Sequence, residues 1–386
     1  MDKVYFDNNA TTPIHPEVGK VVKRFWEELF GNPSSIHWAG REVRGYYQRA
    51  KEQVALLMNS EPDEIVFTSC GTESDNHAIK GVAYAKRDSG LHIITTKVEH
   101  PGVVNACRYL ETQGFDVTYL AVDGEGRLDP RDVKKAIRQD TILISVMYAN
   151  NETGTTMPIG EIGKIAREAG VLFHSDMVQA LGKIEIDLKN LNVDLASFSG
   201  HKLYAPKGVG ALFIRQGLSI DNLIHGGHQE EGRRAGTENM IGIVAFGKAC
   251  ELMKEEMGTK GREIEFLRKK LLDGILKEVG QVRLNGHPDE RLPNTLSLSF
   301  DYVEAESLLI ALDLAGIAVS AGSACSSGAT EPSHVLVAMG ISAESCQSTL
   351  RISLGRENTA EEIDYAISVM PAIVDKLRKM SPLYKH

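Results

Sequence analysis

The sequence predicts an α/β fold: a large, mostly parallel sheet domain flanked by helices, followed by a smaller α+β domain. Three observations carry this expectation. Short apolar runs recur along the first two-thirds of the chain, rich in Val and Ile and without strict alternation. That is the pattern of strands buried on both faces. Helix-like segments lie between several of the runs, and strand–helix–strand repetition builds a parallel sheet covered on both sides. The last third changes character, with a long amphipathic stretch followed by a cleanly alternating run.

Residues 1–15 form an N-terminal arm expected to pack near the smaller domain. The large domain is expected over 16–255. Its strands are read at EIVFTS (64–69), LHIITT (91–96), DVTYLAV (116–122), ILISVMYA (142–149), VLFHSD (171–176), VDLASFS (193–199) and GALFI (210–214). SDNHAIKGVAYAK and PGVVNACRYLETQ are among the helices between them. The smaller domain is expected over 256–386. The amphipathic stretch of roughly 241–279 leads into it, with Gly258 and Gly261 read as breaks. TLSLSF (295–300), a helix near 304–315, GIAVSAG and TLRISLG complete it.

Composition narrows the function. Of 386 residues, 42% are hydrophobic and 25% charged, the balance of an ordinary globular protein. The net charge of −9, with the basic residues scattered, argues against a direct nucleic-acid partner. The start, MDKVYFDNNA, lacks the layout of a signal peptide, and no apolar stretch is long enough to span a bilayer. The five cysteines are odd in number and widely spaced, which speaks against a disulfide framework and for the cytoplasm. No CxxC pair suggests zinc, and His225 and His228 lack the further ligands that a metal site needs.

Ligands of open parallel sheets bind beyond the carboxyl ends of the strands. The residues just past each apolar run are therefore informative. Cys70-Gly71-Thr72-Glu73 comes after the first; Glu99 and His100 come after the second. Asn150, Asn151 and Glu152 come after ILISVMYA, and VLFHSD ends in Asp176 with Gln179 behind it. VDLASFS ends in Ser199, with His201 and Lys202 just beyond. One polar turn alone means little, because strand ends are surface turns. Together they offer a hydroxyl, an imidazole, an amide, a carboxylate and an amine, the needs of pyridoxal phosphate. Lys202 supplies the amine for a Schiff base and Asp176 the carboxylate for the pyridine nitrogen. Gly71 and Thr72 open a helix that suits a phosphate, with Ser199 and His201 as further donors. Gln179 or Asn151 suits the ring hydroxyl, and His100 suits the ring face.

The chain resembles the cysteine desulfurases of the NifS/IscS type, fold-type-I pyridoxal-phosphate enzymes. The resemblance runs from YFDNNATTP through GNPSSIHWAGREVR, FTSCGTESDN, VEHPGV, YANNETGT, HSDMVQALGK, SFSGHKLYAPKGVG and GTEN to GSACSSG and TLRISLGREN. It implies Lys202 as the Schiff-base lysine, Asp176 at the ring nitrogen and His100 over the ring. It implies Asn151 and Gln179 at the ring hydroxyl, and Gly71, Thr72, Ser199 and His201 at the phosphate. Thr237 matches a threonine that reaches the neighbouring subunit's phosphate, which implies a homodimer with shared active sites. Arg351 matches the arginine that holds the substrate α-carboxylate, with Asn151 beside the substrate.

Cys325, in SAGSACSSGATEPSH, falls at the family's catalytic cysteine, in a loop of small residues. The resemblance implies that Lys202 removes the Cα proton of L-cysteine, that His100 shuttles protons, and that Cys325 takes the sulfur as a persulfide while L-alanine leaves. A scaffold of the NifU/IscU type, building iron–sulfur clusters, is the implied acceptor. No intrinsic metal is expected beyond transient ligation of such a cluster by Cys325. The alternatives are a selenocysteine lyase, an aminotransferase on the same fold, or a non-catalytic pyridoxal-phosphate-binding assembly partner. The chain departs from the family pattern in CGTES, in Ala205, in His228, and in Gln347-Ser348, where a His-Gly often precedes TLR.

Overall fold

The computed structural model of the protein describes residues 3–321, 332–382 and 384. Among them, the strands in chain order are β1 (Val4–Tyr5), β2 (Ile65–Thr68), β3 (His92–Thr96), β4 (Asp116–Leu120), β5 (Thr141–Ser145), β6 (Leu172–Asp176), β7 (Leu195–Ser199), β8 (Gly210–Ile214), β9 (Val282–Asn285), β10 (Thr295–Phe300), β11 (Ile317–Ala318), β12 (Ser320–Ala321) and β13 (Thr349–Ser353). Seven of these form the large sheet in the order β2-β8-β7-β6-β5-β3-β4. β8 alone runs against its neighbours β2 and β7. Four strands form a second sheet, β12-β13-β10-β9, with antiparallel pairings, and β1 pairs with β11.

Every residue of β2, β3, β5, β7 and β8 is buried, which explains why those runs lack alternation. The edge strand β4 is the more polar and the more exposed. The two histidines inside the sheet are satisfied locally. His92 bonds Thr141 and Thr118, and His174 bonds Ser145 and Ser197, all at 2.8–2.9 Å.

Two features differ from the sequence reading. TLSLSF alternates in polarity, yet all six residues of β10 are buried. Its serines face Asn285 Nδ2 and Thr349, with Ser299 Oγ 2.9 Å from the first and 2.7 Å from the second. The amphipathic stretch is one unbroken helix, Met240–Glu278, with no break at Gly258 or Gly261. Beyond the helix's own backbone, nothing lies within 4 Å of where a Cβ would stand at either glycine, so neither marks a bend or a close approach. This helix joins the two layers. Phe246 and Met253 pack in the apolar cluster of the large sheet; Leu271 and Ile275 pack in that of the second sheet. Val4 and Phe6 of the arm belong to the second cluster, while Val335, Leu336 and Met339 return to the first. Among the described residues, no helix is long and apolar enough to cross a membrane.

Because the helix is continuous and open at Gly258, Gly258→Ala is expected to stabilise the protein by about 0.5–1 kcal/mol. Denaturant unfolding checks this, and a loss of stability would show that the helix needs glycine there.

Candidate active site

The polar residues predicted from the strand ends converge beyond the carboxyl edge of the large sheet. β6 carries Asp176 into the interior, where its Oδ1 accepts the Val178 N–H at 2.9 Å. Burial pushes this carboxyl above its ordinary range, while His100 and Lys202 pull it back down. Asp75, on the Gly71–Ala85 helix, lies beside it. Ligand atoms of Asp75, His100 and Asp176 fall within 4.8 Å of one another. Asp75 is held well above the ordinary carboxylate range by burial and by Asp176. Two carboxyls this close favour sharing a proton, or facing a cation, over both being ionised.

His100 caps the Pro101–Thr112 helix: its Nδ1 accepts the Gly102 N–H at 3.0 Å. That contact places the ring proton on Nε2. Burial and Lys202 lower its proton affinity, and Asp176 opposes them. The preceding residue, Glu99, is fully buried. Its carboxyl accepts the Met147 N–H at 3.0 Å and the Thr96 hydroxyl at 2.7 Å, and burial raises it to about 8.

Lys202 stands in a single 3-10 turn, Gly200–Lys202, directly after β7. Its Nζ donates to the carbonyls of Asn9 (2.5 Å) and Ala10 (2.6 Å) on the N-terminal arm. The turn is fixed from behind. Tyr204 takes a left-handed φ of 62°. Its N–H donates to Thr12 Oγ1 at 2.8 Å and its hydroxyl accepts the Arg356 N–H at 2.9 Å, contacts that hold the strained residue. His201 donates or accepts across 3.2 Å to Thr11, with burial lowering its imidazole to about 4.

Arg351, on β13, is 2% exposed. Its Nη2 donates to Asp7 Oδ1 at 2.8 Å and its Nη1 to the Asn151 carbonyl at 3.2 Å. Its Nε is buried and has no partner among the described residues. Asn151 thus reaches the site through its backbone, and its carbonyl also accepts Asn9 Nδ2 at 3.2 Å. Gln179 donates to the Asn9 carbonyl at 3.1 Å. The structure therefore brings Lys202, Asp176, His100, Gln179, Asn151 and Arg351 together.

The residues fit pyridoxal phosphate. A buried carboxyl suits a protonated ring nitrogen, an amine stands within its electrostatic reach, and a neutral imidazole lies beside both. Gly71 opens its helix so tightly against the site that a Cβ would meet Val178 at 2.7 Å and Ser199 at 3.5 Å. The helix start can then offer backbone N–H groups to a phosphate. Thr72 is exposed there and Ser199 buried. Thr237 is exposed on the loop before the Met240–Glu278 helix. That loop is tied to the same helix start by Arg234, whose Nε donates to Glu73 at 2.8 Å. Cys325 lies outside the described residues. Cys107 and Cys250 are fully buried core thiols, and Cys70 is half-buried, its Sγ accepting the Glu73 N–H. His225 and His228 are exposed.

The sequence reading missed Asp7, Asn9, Asp75 and Lys183. The spacing in Gln179-x-x-x-Lys183 was a signal for the last; the others are joined to the site only by tertiary packing.

The Aminotransferase class-V family model matches residues 4–366. The chain is 52% identical over 380 residues to a Methanosarcina thermophila protein named cysteine desulfurase IscS, covering 98% of this chain and 94% of that one. It is 51% identical to a protein of the same name from Dictyoglomus turgidum, over 98% and 96% of the two chains. A solved NifS-like protein matches with a TM-score of 0.92 at 40% identity, over 97% of this chain and 100% of that one. A structure described as SspA in complex with cysteine matches with a TM-score of 0.82 at 36% identity, over 92% and 100%.

Glu99 gives a pH test of the site's foundation. Its carboxyl titrates near 4.5 when free and near 8 in the fold, so its stabilising contribution is full below about 4.5. It is lost as pH rises through 8. Glu99→Gln keeps an oxygen for Met147 and does not titrate. The variant's melting temperature is expected to gain on wild type as pH goes from 5 to 9; a gap independent of pH would show that Glu99 is not held protonated.

Proposed function

The chain belongs to the class-V aminotransferase family, and we propose that it is a cysteine desulfurase working with pyridoxal 5′-phosphate. It converts L-cysteine to L-alanine and holds the sulfur as a persulfide on Cys325. The observation that carries this reading is the joining of the lysine amine to the arginine guanidinium through the arm. Asn9 takes Lys202 on its carbonyl and, through the Asn151 carbonyl, reaches Arg351. An amine and a carboxylate binder fixed to one another suit an α-amino acid.

Once bound, the cofactor supplies a ring that withdraws electrons from the substrate Cα. Asp176 would hold the cofactor by a positive ring nitrogen, and Gly71, Thr72, Ser199 and His201 would hold its phosphate. Arg351 orients the substrate through its α-carboxylate, with its unpartnered Nε as the donor still to be used. Asp7 holds the guanidinium in place meanwhile. Lys202 Nζ takes the Cα proton, and His100 Nε2 moves a proton on and off the substrate. The Cys325 sulfur then bonds to the substrate sulfur as the Cβ–S bond breaks. The electron pair of that bond stays with carbon and is protonated there. L-alanine leaves, and the enzyme keeps –S–SH.

The persulfide sulfur passes to an iron–sulfur scaffold of the NifU/IscU type, in the cytoplasm. The division into an arm (1–15), a large domain (16–255) and a small domain (256–386) belongs to the same proposal; the separate apolar cluster of the second sheet supports it, while Val335, Leu336 and Met339 pack back against the large sheet. So does a homodimer with shared sites. Phe30 and Ile36 are 82% and 86% exposed, with Trp26 and Trp38 exposed beside them in sequence. Large apolar side chains gathered on a surface mark an interface, and Thr237 stands exposed to reach a partner's phosphate.

Two measurements check this reading. Wild type should release alanine and sulfide from L-cysteine in equal amounts in the presence of a thiol, while Cys325→Ala should bind cysteine and release neither. Full activity in Cys325→Ala removes the cysteine from the mechanism and brings a lyase or aminotransferase forward. Ile36→Asp should convert the dimer to monomer in sedimentation and weaken cofactor retention. A dimer unaffected by the substitution places the interface elsewhere.

A further inference from the structure

Lys183 is a half-buried lysine that the mechanism above does not use. It follows β6 by one tight turn, and Gly182, at a φ of 72°, makes that turn possible: a Cβ there would run into the Leu203 side chain, next to Lys202. Lys183 Nζ donates to Gln179 Oε1 at 2.5 Å and to Asn9 Oδ1 at 2.9 Å. Gln179 Nε2 in turn donates to the Asn9 carbonyl, which also accepts Lys202.

The Lys183 amine is the donor in both contacts, so they decide which end of each amide faces it. Gln179 must turn its oxygen toward Lys183 and its NH2 away. Asn9 must turn its oxygen toward Lys183 and Asn294, leaving its NH2 for Thr295 and the Asn151 carbonyl. Gln179 is thereby left as a donor toward the Lys202 side of the site.

We propose that Lys183 is a positioning residue that orients the Gln179 amide so that it offers only N–H groups to the oxyanion of the cofactor ring beside Lys202. This rests on the cofactor reading above. The neighbouring charges fit it. Burial holds the proton affinity of the Lys183 amine well below the ordinary lysine range, and repulsion by Lys202 and Arg351 adds to it. Asp7 partly offsets Arg351, and Asp176, His100 and His201 face Lys202 from the sheet side. Glu256, Lys260 and Arg356 face both lysines from the Met240–Glu278 helix and the stretch after β13.

The test is the pH titration of the bound cofactor's visible absorbance in the purified holoenzyme. Two neutral variants, Lys183→Met and Lys183→Gln, are compared with Lys183→Arg. In the neutral variants the amine that Lys202 and Arg351 repel is lost. In Lys183→Met the Gln179 amide can also turn its oxygen toward the ring oxyanion. Both changes raise the proton affinity of the Lys202 nitrogen. The midpoint is expected to move up by about one pH unit in Lys183→Met and less in Lys183→Gln. Lys183→Arg should stay near wild type. Neutral variants that retain cofactor with an unshifted midpoint overturn the proposal. Loss of fold in both neutral variants, seen by circular dichroism, overturns it too, since Lys183 would then serve the core. A wild type with no visible absorbance after cofactor addition instead defeats the cofactor reading itself.

Discussion

Asn9 is 1% exposed, and every polar atom it carries is engaged. Its N–H donates to Ser353 Oγ, its NH2 to Thr295 Oγ1 and the Asn151 carbonyl, and its carbonyl accepts Lys202 and Gln179. Its side-chain oxygen accepts Lys183 and Asn294. Partners from β13, β10 and the turns after β5, β6 and β7 thus meet on one residue. An apolar substitute would strand buried donors and acceptors on both sides, at about 1–3 kcal/mol for each. The arm is therefore the seam that sets the two sheets, and the Lys202 amine and Arg351 guanidinium, at a fixed separation.

Around that seam the charges are sorted by sign. Asp75, Asp176 and Glu99 gather at the carboxyl edge of the large sheet, all pushed toward their protonated forms by burial. Lys202, Lys183 and Arg351 gather on the side of the arm, sharing carbonyl and amide oxygens in place of solvent. Burying like charges together is costly unless an opposite charge arrives. A ligand that is cationic on one side and carries a carboxylate on the other would relieve both groups. The same sorting therefore selects for ligands that bring each sign to the side where its opposite is gathered.

Much of this was legible in the residues. Strands buried on both faces, and the polar residues at their ends, came from pattern alone, since β2, β5 and β7 place their last residues at a common edge. The helix Met240–Glu278 was misread at Gly258 and Gly261 because glycine on an open helical face costs only about 1 kcal/mol, which packing at both ends outweighs. Asn9 and Asp7 escaped because their partners lie more than 140 residues away. A buried asparagine in a polar stretch has no local periodicity to announce it. Asp75 escaped for a related reason: on one helix face it reads as solvated, and only the crossing of β6 beneath it shows otherwise.

The departure at Gln347-Ser348 bears on how Arg351 is held. Ser348 ends the short helix Ala343–Gln347 with φ −104°, a conformation open to any residue, so a glycine is not required there. Its hydroxyl and that of Thr349 both donate to the Ser345 carbonyl, at 3.0 and 2.7 Å, capping the helix in glycine's absence. Gln347 itself is exposed. From Thr349 onward the strand pairs in unbroken register, Thr349 with Ser299 and Arg351 with Ser297. The direction of the guanidinium is then set by that register and by Asp7, not by the residues before the strand. The chain can vary at 347–348 and keep the Arg351 guanidinium in place because it is aimed from the arm.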